Sequence, residues 1–207
     1  MTMLDVILLR HPETAWNREK ILQGQSDIPA LDPTVSDELA RQIVELGFVA
    51  AVYTSDLQRC SEPAFNLHRK IAAQTSLPVP YSLTPLLRER NFGSLEGKPY
   101  DILGHDSVES VGNYLYHLEI PDGEGKDASR ARAADALRSL LYYQVPQMTT
   151  VVVAMTHGCF MNYMLTELEG NVELSPYRPS GNLSGFRVRV GDDKLVKDII
   201  PFPEVKP

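Results

Sequence analysis

Two short runs of continuous apolar sequence, residues 4–10 and 150–156, constrain this chain more than any other feature. Both are rich in β-branched residues, among them Val6 and Ile7 in the first and Val151, Val152 and Val153 in the second. Neither alternates with polar residues as a half-exposed strand does. That pattern belongs to strands covered on both faces, as in a parallel sheet with helices on each side. Ala50-Ala51-Val52-Tyr53-Thr54 is a third, weaker run. Phe186, Val188 and Val190 alternate with Arg187 and Arg189, which predicts a half-exposed strand near the sheet edge with both arginines on its solvated face. Gly191-Asp192-Asp193-Lys194 then reads as a turn into Leu195–Ile200, a C-terminal hairpin.

Helical stripes fill the intervals. They are Leu39, Ile43 and Leu46, stopped by Gly47; Leu57, Cys60, Ala64, Leu67 and Ile71; and Val108, Val111, Leu115 and Leu118. Ala133, Leu137, Leu140 and Leu141 make a fourth, and Phe160, Met164 and Leu168 a fifth. Strands alternating with helices define an α/β fold, a three-layer sandwich with a mostly parallel central sheet. At 207 residues one domain is the expectation for the whole chain, 1–207, with an irregular insertion over the site at about 91–127.

Open α/β sheets bind ligands beyond the carboxyl ends of their strands. Arg10-His11 ends the first strand, Ser55 to Arg59 follow the second, and Thr156-His157-Gly158 end another. Residues remote in sequence therefore converge on one crevice. Two arginines there can bind and disperse the charge of a phosphate monoester. A neutral imidazole can attack phosphorus in line, and a carboxyl group must then protonate the leaving oxygen. Glu89 is the best donor in the sequence, with Glu96 its rival.

A net charge of −7 argues against nucleic acid or an anionic membrane as partner and leaves room for a small anionic substrate. Cys60 and Cys159 have neither metal-ligand nor disulfide spacing and read as packed thiols. No leader peptide and no apolar span of membrane length is evident, so the expected compartment is the cytoplasm. No feature specifies an oligomeric state; a monomer and a homo-oligomer are equally compatible with the chain.

The segment Arg10-His11-x-Glu13-Thr14-x-x-Asn17 resembles the signature of the histidine phosphatase (phosphoglycerate mutase-like) superfamily. The likeness continues, in family order, through Leu22–Pro29, Tyr53-Thr54-Ser55-Asp56-Leu57-x-Arg59 and Glu89-x-x-Phe92-Gly93-x-x-Glu96-Gly97. Pro121-x-Gly123-Glu124 and Thr156-His157-Gly158 complete it. The resemblance implies that His11 is the phosphorylated nucleophile, that Arg10, Arg59 and His157 form the phosphate pocket, and that Glu89 is the acid and base. It places Asn17, Gln23, Gly24 and Gly158 among the substrate-binding residues, and implies no metal and no cofactor.

Three positions depart from the family pattern. Pro12 replaces a glycine and has no N–H to donate. Pro63 either kinks a helix begun near Leu57 or lies in the first turn of one capped by Ser61. Gly125 stands where the family often has serine. Of the two family chemistries, the mutase needs additional cations for a second anionic group. Between Arg90 and Thr156 the sequence offers only Arg90, Lys98, Lys126, Arg130, Arg132 and Arg138, in a segment shorter than the insertion of glycolytic mutases. A hydrolase acting on a small phosphorylated metabolite is the first expectation, and a cofactor-dependent phosphoglycerate mutase is the alternative. A catalytically weak member that binds phospho-ligands or a partner protein is a reading of another class; a His/Glu metal site lacks ligand spacing. His68, His105 and His117 read as structural or exposed, and Tyr100, Tyr114 and Tyr116 as ordinary packing.

Overall fold

A computed structural model describes residues 3–104, 108–143, 145, 147–170 and 181–203. In chain order these form β1 (Met3–Arg10), α1 (Ala15–Arg18), α2 (Asp37–Leu46), β2 (Phe48–Thr54), α3 (Gln58–Ala72) and β3 (Tyr81–Leu83). There follow α4 (Val108–His117), α5 (Lys126–Leu140), β4 (Thr149–Thr156), α6 (Gly158–Leu168), β5 (Gly185–Gly191) and β6 (Val196–Phe202). The segment before α4 also holds 3-10 turns at Gly93–Leu95 and Tyr100–Leu103, so the region read as an irregular insertion is partly helical.

The strands make one six-stranded mixed sheet in the order β3-β2-β4-β1-β5-β6. The two continuous apolar runs, β1 and β4, pair in parallel at its centre, with β2 parallel on the far side of β4. The β5–β6 hairpin is antiparallel and extends the sheet beyond β1. Successive residues of β1 serve opposite cores. Leu4, Val6 and Leu8 pack with Val111, Leu115, Leu137 and Phe160 of the α4, α5 and α6 layer. Ile7 and Leu9 pack with Leu39, Ile43, Ala64 and Leu67 of the α2 and α3 layer. This is the expected α/β sandwich.

Local chemistry sets the boundaries. Ser36 caps α2 by accepting from the Leu39 amide, and Asp37 and Glu38 sit in its first, electropositive turn. Gly47 ends that helix at φ 156°, where a Cβ would lie 2.3 Å from the Thr149 carbonyl oxygen. Only glycine allows α2 to turn so closely past the start of β4. Two strand readings are corrected. β3 has no counterpart in the sequence pattern. Arg187 and Arg189 do not form a solvated face: Arg187 donates to fully buried Asp5 on β1 at 2.7 Å, with Arg189 3.5 Å from its other oxygen. A carboxylate buried in a strand covered on both faces needs cationic partners, and the hairpin supplies them.

Candidate active site

The strand pairing brings the remote motifs together. Arg10 is in register with Thr156, and Thr54 with Met155, so three parallel strands end at one level. The pairing runs one step further: His11 N–H donates to Thr156 O at 3.1 Å and Ser55 N–H to Met155 O at 3.0 Å. Beyond these ends lies a cavity of about 60 Å³ lined by Arg10, His11, Asn17, Gln23, Gly24, Arg59, Glu89 and Gly158. That volume holds about four waters.

His11 is buried, and its Nδ1 lies 2.6 Å from the Pro12 carbonyl oxygen. A carbonyl can only accept, so Nδ1 carries the proton and Nε2 keeps its lone pair. Burial, Arg59 and Arg10 hold the imidazole well below its ordinary value of 6.5, so it is neutral at pH 7. The group that Pro12 supplies is its carbonyl, which proline retains; the N–H it lacks has no part in orienting this ring.

Arg59 is fully buried on the first turn of α3. Its Nη1 donates to Ser26 O at 2.7 Å, Nη2 to Gly24 O at 2.6 Å and Nε to His157 Nδ1 at 3.1 Å. Among the described residues no carboxylate is within ion-pair distance of it. A guanidinium has five N–H groups, so two remain for a ligand. Helix α3 begins at Gln58, which places Pro63 inside it and removes the bond to the Arg59 carbonyl. These three side-chain bonds nevertheless fix the guanidinium. Gly24 has φ 51°, and a Cβ there would meet Glu96 Oε1 at 2.2 Å. Glu96 itself accepts from Gln25 N–H, Phe92 N–H and the Ser26 hydroxyl. It is thus the tie that shapes the 24–26 loop and is not part of the cavity lining.

His157, expected in the phosphate pocket, is not among the residues lining the cavity. Its ring lies 5.3 Å from that of His11, but both nitrogens face the protein. Nδ1 accepts from Arg59, so Nε2 carries the proton and donates to Ser55 Oγ at 2.9 Å. Ser55, fully buried, is a site residue that the motif contained without revealing its role. Burial and the Arg59 charge hold His157 neutral too.

The Glu89 carboxyl group lies against the first amides of α6. Its Oε1 accepts from Arg90 N–H at 2.9 Å and Phe160 N–H at 2.8 Å, whereas Oε2 accepts only from Cys159 N–H at 3.2 Å. Oε2 therefore has room for a proton. Burial pushes this carboxyl above the usual 4.5, against the pull of the Arg90 amide, Arg59 and the two α6 amides. Asn17 is held through its Oδ1, which accepts from the Thr14 amide and hydroxyl. The Thr14 hydroxyl has one proton, which is shared between Asn17 Oδ1 and Gln23 Oε1, each 3.1 Å away.

The sequence did not disclose the rest of the lining: Leu22, Phe92, Tyr100, Val111, Gly112, Leu115 and Cys159. Tyr100, read as packing, faces the cavity, while Tyr116 packs against Tyr163 and Tyr114 is exposed. Burial pushes the Cys159 thiol well up, which keeps it protonated. Gly125 is the N-cap of α5 and lies outside the lining. His68 bonds to Val79 O and His117 ends α4; His105 lies outside the described residues. Among the described residues no three His, Cys, Asp or Glu side chains group to hold a metal, and no helix is long and apolar enough to cross a membrane.

A family profile described as histidine phosphatase superfamily (branch 1) matches residues 6–196. The protein named Probable phosphoglycerate mutase GpmB from Yersinia pestis (strain Pestoides F) is 31% identical over 172 residues, covering 81% of this chain and 76% of that protein. Bacillus stearothermophilus YhfR shares the fold at a TM-score of 0.70 and 22% identity, covering 98% of each chain. A mycobacterial glucosyl-3-phosphoglycerate phosphatase does so at 0.68 and 20%, over 96% of this chain and 98% of that one. The chain belongs to the histidine phosphatase superfamily and is an enzyme of that class.

The two buried histidines give a testable pH dependence. Both are depressed in the folded state, so their contribution is complete above 6.5 and is lost as the pH falls below it, where only the unfolded chain takes up protons. Each contributes a slope of up to about 1.4 kcal/mol per pH unit. Glu89 is shifted upward and works oppositely, offsetting one histidine at most. Urea unfolding between pH 7.5 and 5.5 is expected to show stability falling by about 0.6 to 2 kcal/mol from pH 6.5 to 5.5, and by less in His11→Gln. A flat profile refutes the assignment of neutral buried imidazoles.

Proposed function

We propose that this enzyme is a phosphomonoester hydrolase that acts through a phosphohistidine on a small phosphorylated metabolite. The observation that carries the reading is a buried Arg59 guanidinium with no carboxylate partner among the described residues, facing the same cavity as a neutral His11 whose Nδ1 is capped by a carbonyl. A buried cation without a counter-ion favours an anionic ligand. Arg10 and the two remaining Arg59 donors bind the phosphoryl oxygens and stabilise charge on them. His11 Nε2 forms a bond to phosphorus as the ester P–O bond breaks, and the Glu89 Oε2 proton passes to the leaving oxygen. Water then attacks phosphorus, Glu89 takes its proton, and the P–N bond breaks to return neutral His11. His157 contributes by holding Arg59 and packing against the His11 ring.

The name of the Yersinia relative favours a mutase as the second reading. Against it, five of the six cations of the segment from Arg90 to Thr156 are engaged, and the sixth, Lys98, does not line the cavity. Arg90 donates to the carbonyls of Glu124, Leu115 and Leu118, and Arg132 makes a bidentate pair with Glu124. Arg130 pairs with Glu167, Lys126 with Glu119 and Arg138 with Asp135. None of the six lines the cavity to meet a second anionic group.

The test is release of inorganic phosphate from p-nitrophenyl phosphate in EDTA, beside mutase turnover after priming with bisphosphoglycerate. The hydrolase reading expects the first without the second. Inactivity across a phosphomonoester panel, or mutase turnover alone, overturns it.

A further inference from the structure

The two arginines of the cavity, Arg10 and Arg59, and the side chains of His11 and Glu89 all have a part in the reaction proposed above. The remaining wall is of another kind. Leu22, Phe92, Val111, Leu115 and the Tyr100 ring present alkyl and aromatic surface, and the other polar groups, the Asn17 and Gln23 amides, the Tyr100 hydroxyl and the Cys159 thiol, are uncharged. This wall is also fixed in place. Arg90 holds the last turn of α4 through the carbonyls of Leu115 and Leu118, the Phe92 amide donates to Glu96 at 3.1 Å, and the Leu22 amide donates to Lys98 O at 2.8 Å.

Resting on the hydrolase reading, we infer that the enzyme selects monoesters whose leaving group is uncharged and apolar or aromatic, seated against Phe92, Tyr100, Val111 and Leu115. The phosphoryl group is held at the Arg10, His11, Arg59 and Glu89 side of the cavity, which leaves the alcohol portion against this wall. An alkyl or aryl group there exchanges water for carbon contact and is favoured by burial. A carboxylate or second phosphate in the same place loses its hydration, and the described lining offers no cation besides the two arginines that hold the phosphoryl group. Specificity follows from that asymmetry, since taking an ionised group out of water without a partner costs far more than losing a methylene contact.

Phenyl phosphate and 4-carboxyphenyl phosphate test the inference on the wild-type enzyme, because they differ in one remote charge and little in leaving ability. Phenyl phosphate is expected to have at least about tenfold higher kcat/KM, with most of the difference in KM. Leu115→Ala, with folding checked by its thermal transition, is expected to raise KM for phenyl phosphate several-fold while kcat stays near that of the parent. Equal or greater kcat/KM for the carboxylated ester overturns the inference and leaves the hydrolase reading intact. Absence of phosphate release from both esters overturns the hydrolase reading itself.

Discussion

Replacing His11 by alanine is expected to remove all acid-labile phosphoenzyme and to lower kcat by on the order of 10⁴-fold or more. The magnitude follows from removing the atom that forms the covalent intermediate, since the remaining donors can bind the ester but provide no nucleophile. The variant is expected to fold. The main chain of residue 11 keeps its bond to Thr156 O, and the lost side-chain bond is to the adjacent Pro12 carbonyl. The measurement is rapid quench with a ³²P-labelled monoester followed by acid lability of the protein-bound label. A variant that still carries such label shows that another residue is the acceptor.

Glu89→Gln is expected to slow the first chemical step by about 10²- to 10⁴-fold for alkyl esters and far less for nitrophenyl phosphate. An alkoxide needs the Oε2 proton to leave, whereas nitrophenolate does not. The comparison belongs in kcat/KM, which reports phosphorylation of His11 and is blind to slower hydrolysis of the intermediate. Glutamine can keep the Oε1 bonds to Arg90 and Phe160, but its amide then opposes the Cys159 N–H. That donor-to-donor clash costs about 1 kcal/mol or more in stability, so the thermal transition is followed in parallel. Equal slowing for the two ester classes removes Glu89 from the donor role.

The sequence displayed the centre of this fold and concealed its margins. β1 and β4 were legible because strands buried on both faces need uninterrupted apolar residues, and few other structures do. β3 was not, because three residues, Tyr81–Leu83, carry no measurable period and pair only at the sheet edge. Arg187 and Arg189 misled because an alternating strand with charged residues looks solvent-facing. The contrary signal was Asp5, a charge inside a run otherwise built for burial, which requires a cation from somewhere else in the chain.

The candidate site divides in the same way. Arg10, His11, Arg59 and Glu89 stood out because their chemistry is unusual at strand ends. Val111 and Leu115 did not, since a helix face that lines a cavity and one that fills a core have the same spacing. The two roles of Arg59, holding the loop at Gly24 and Ser26 and facing the cavity, were visible only in three dimensions. The same is true of the inward turn of His157 towards Ser55.

Glu89 and Arg90 are consecutive, yet one side chain enters the reaction chamber and the other anchors the helix that roofs it. Redesign of that roof is therefore mechanically linked to the proton donor through a single peptide unit. An exchanged roof helix that offers its terminal carbonyls at a different height would drag on Arg90 and tilt its neighbour's carboxyl. Attempts to retune selectivity by transplanting the segment should keep this arginine and its three carbonyl acceptors together, or accept a slower catalyst.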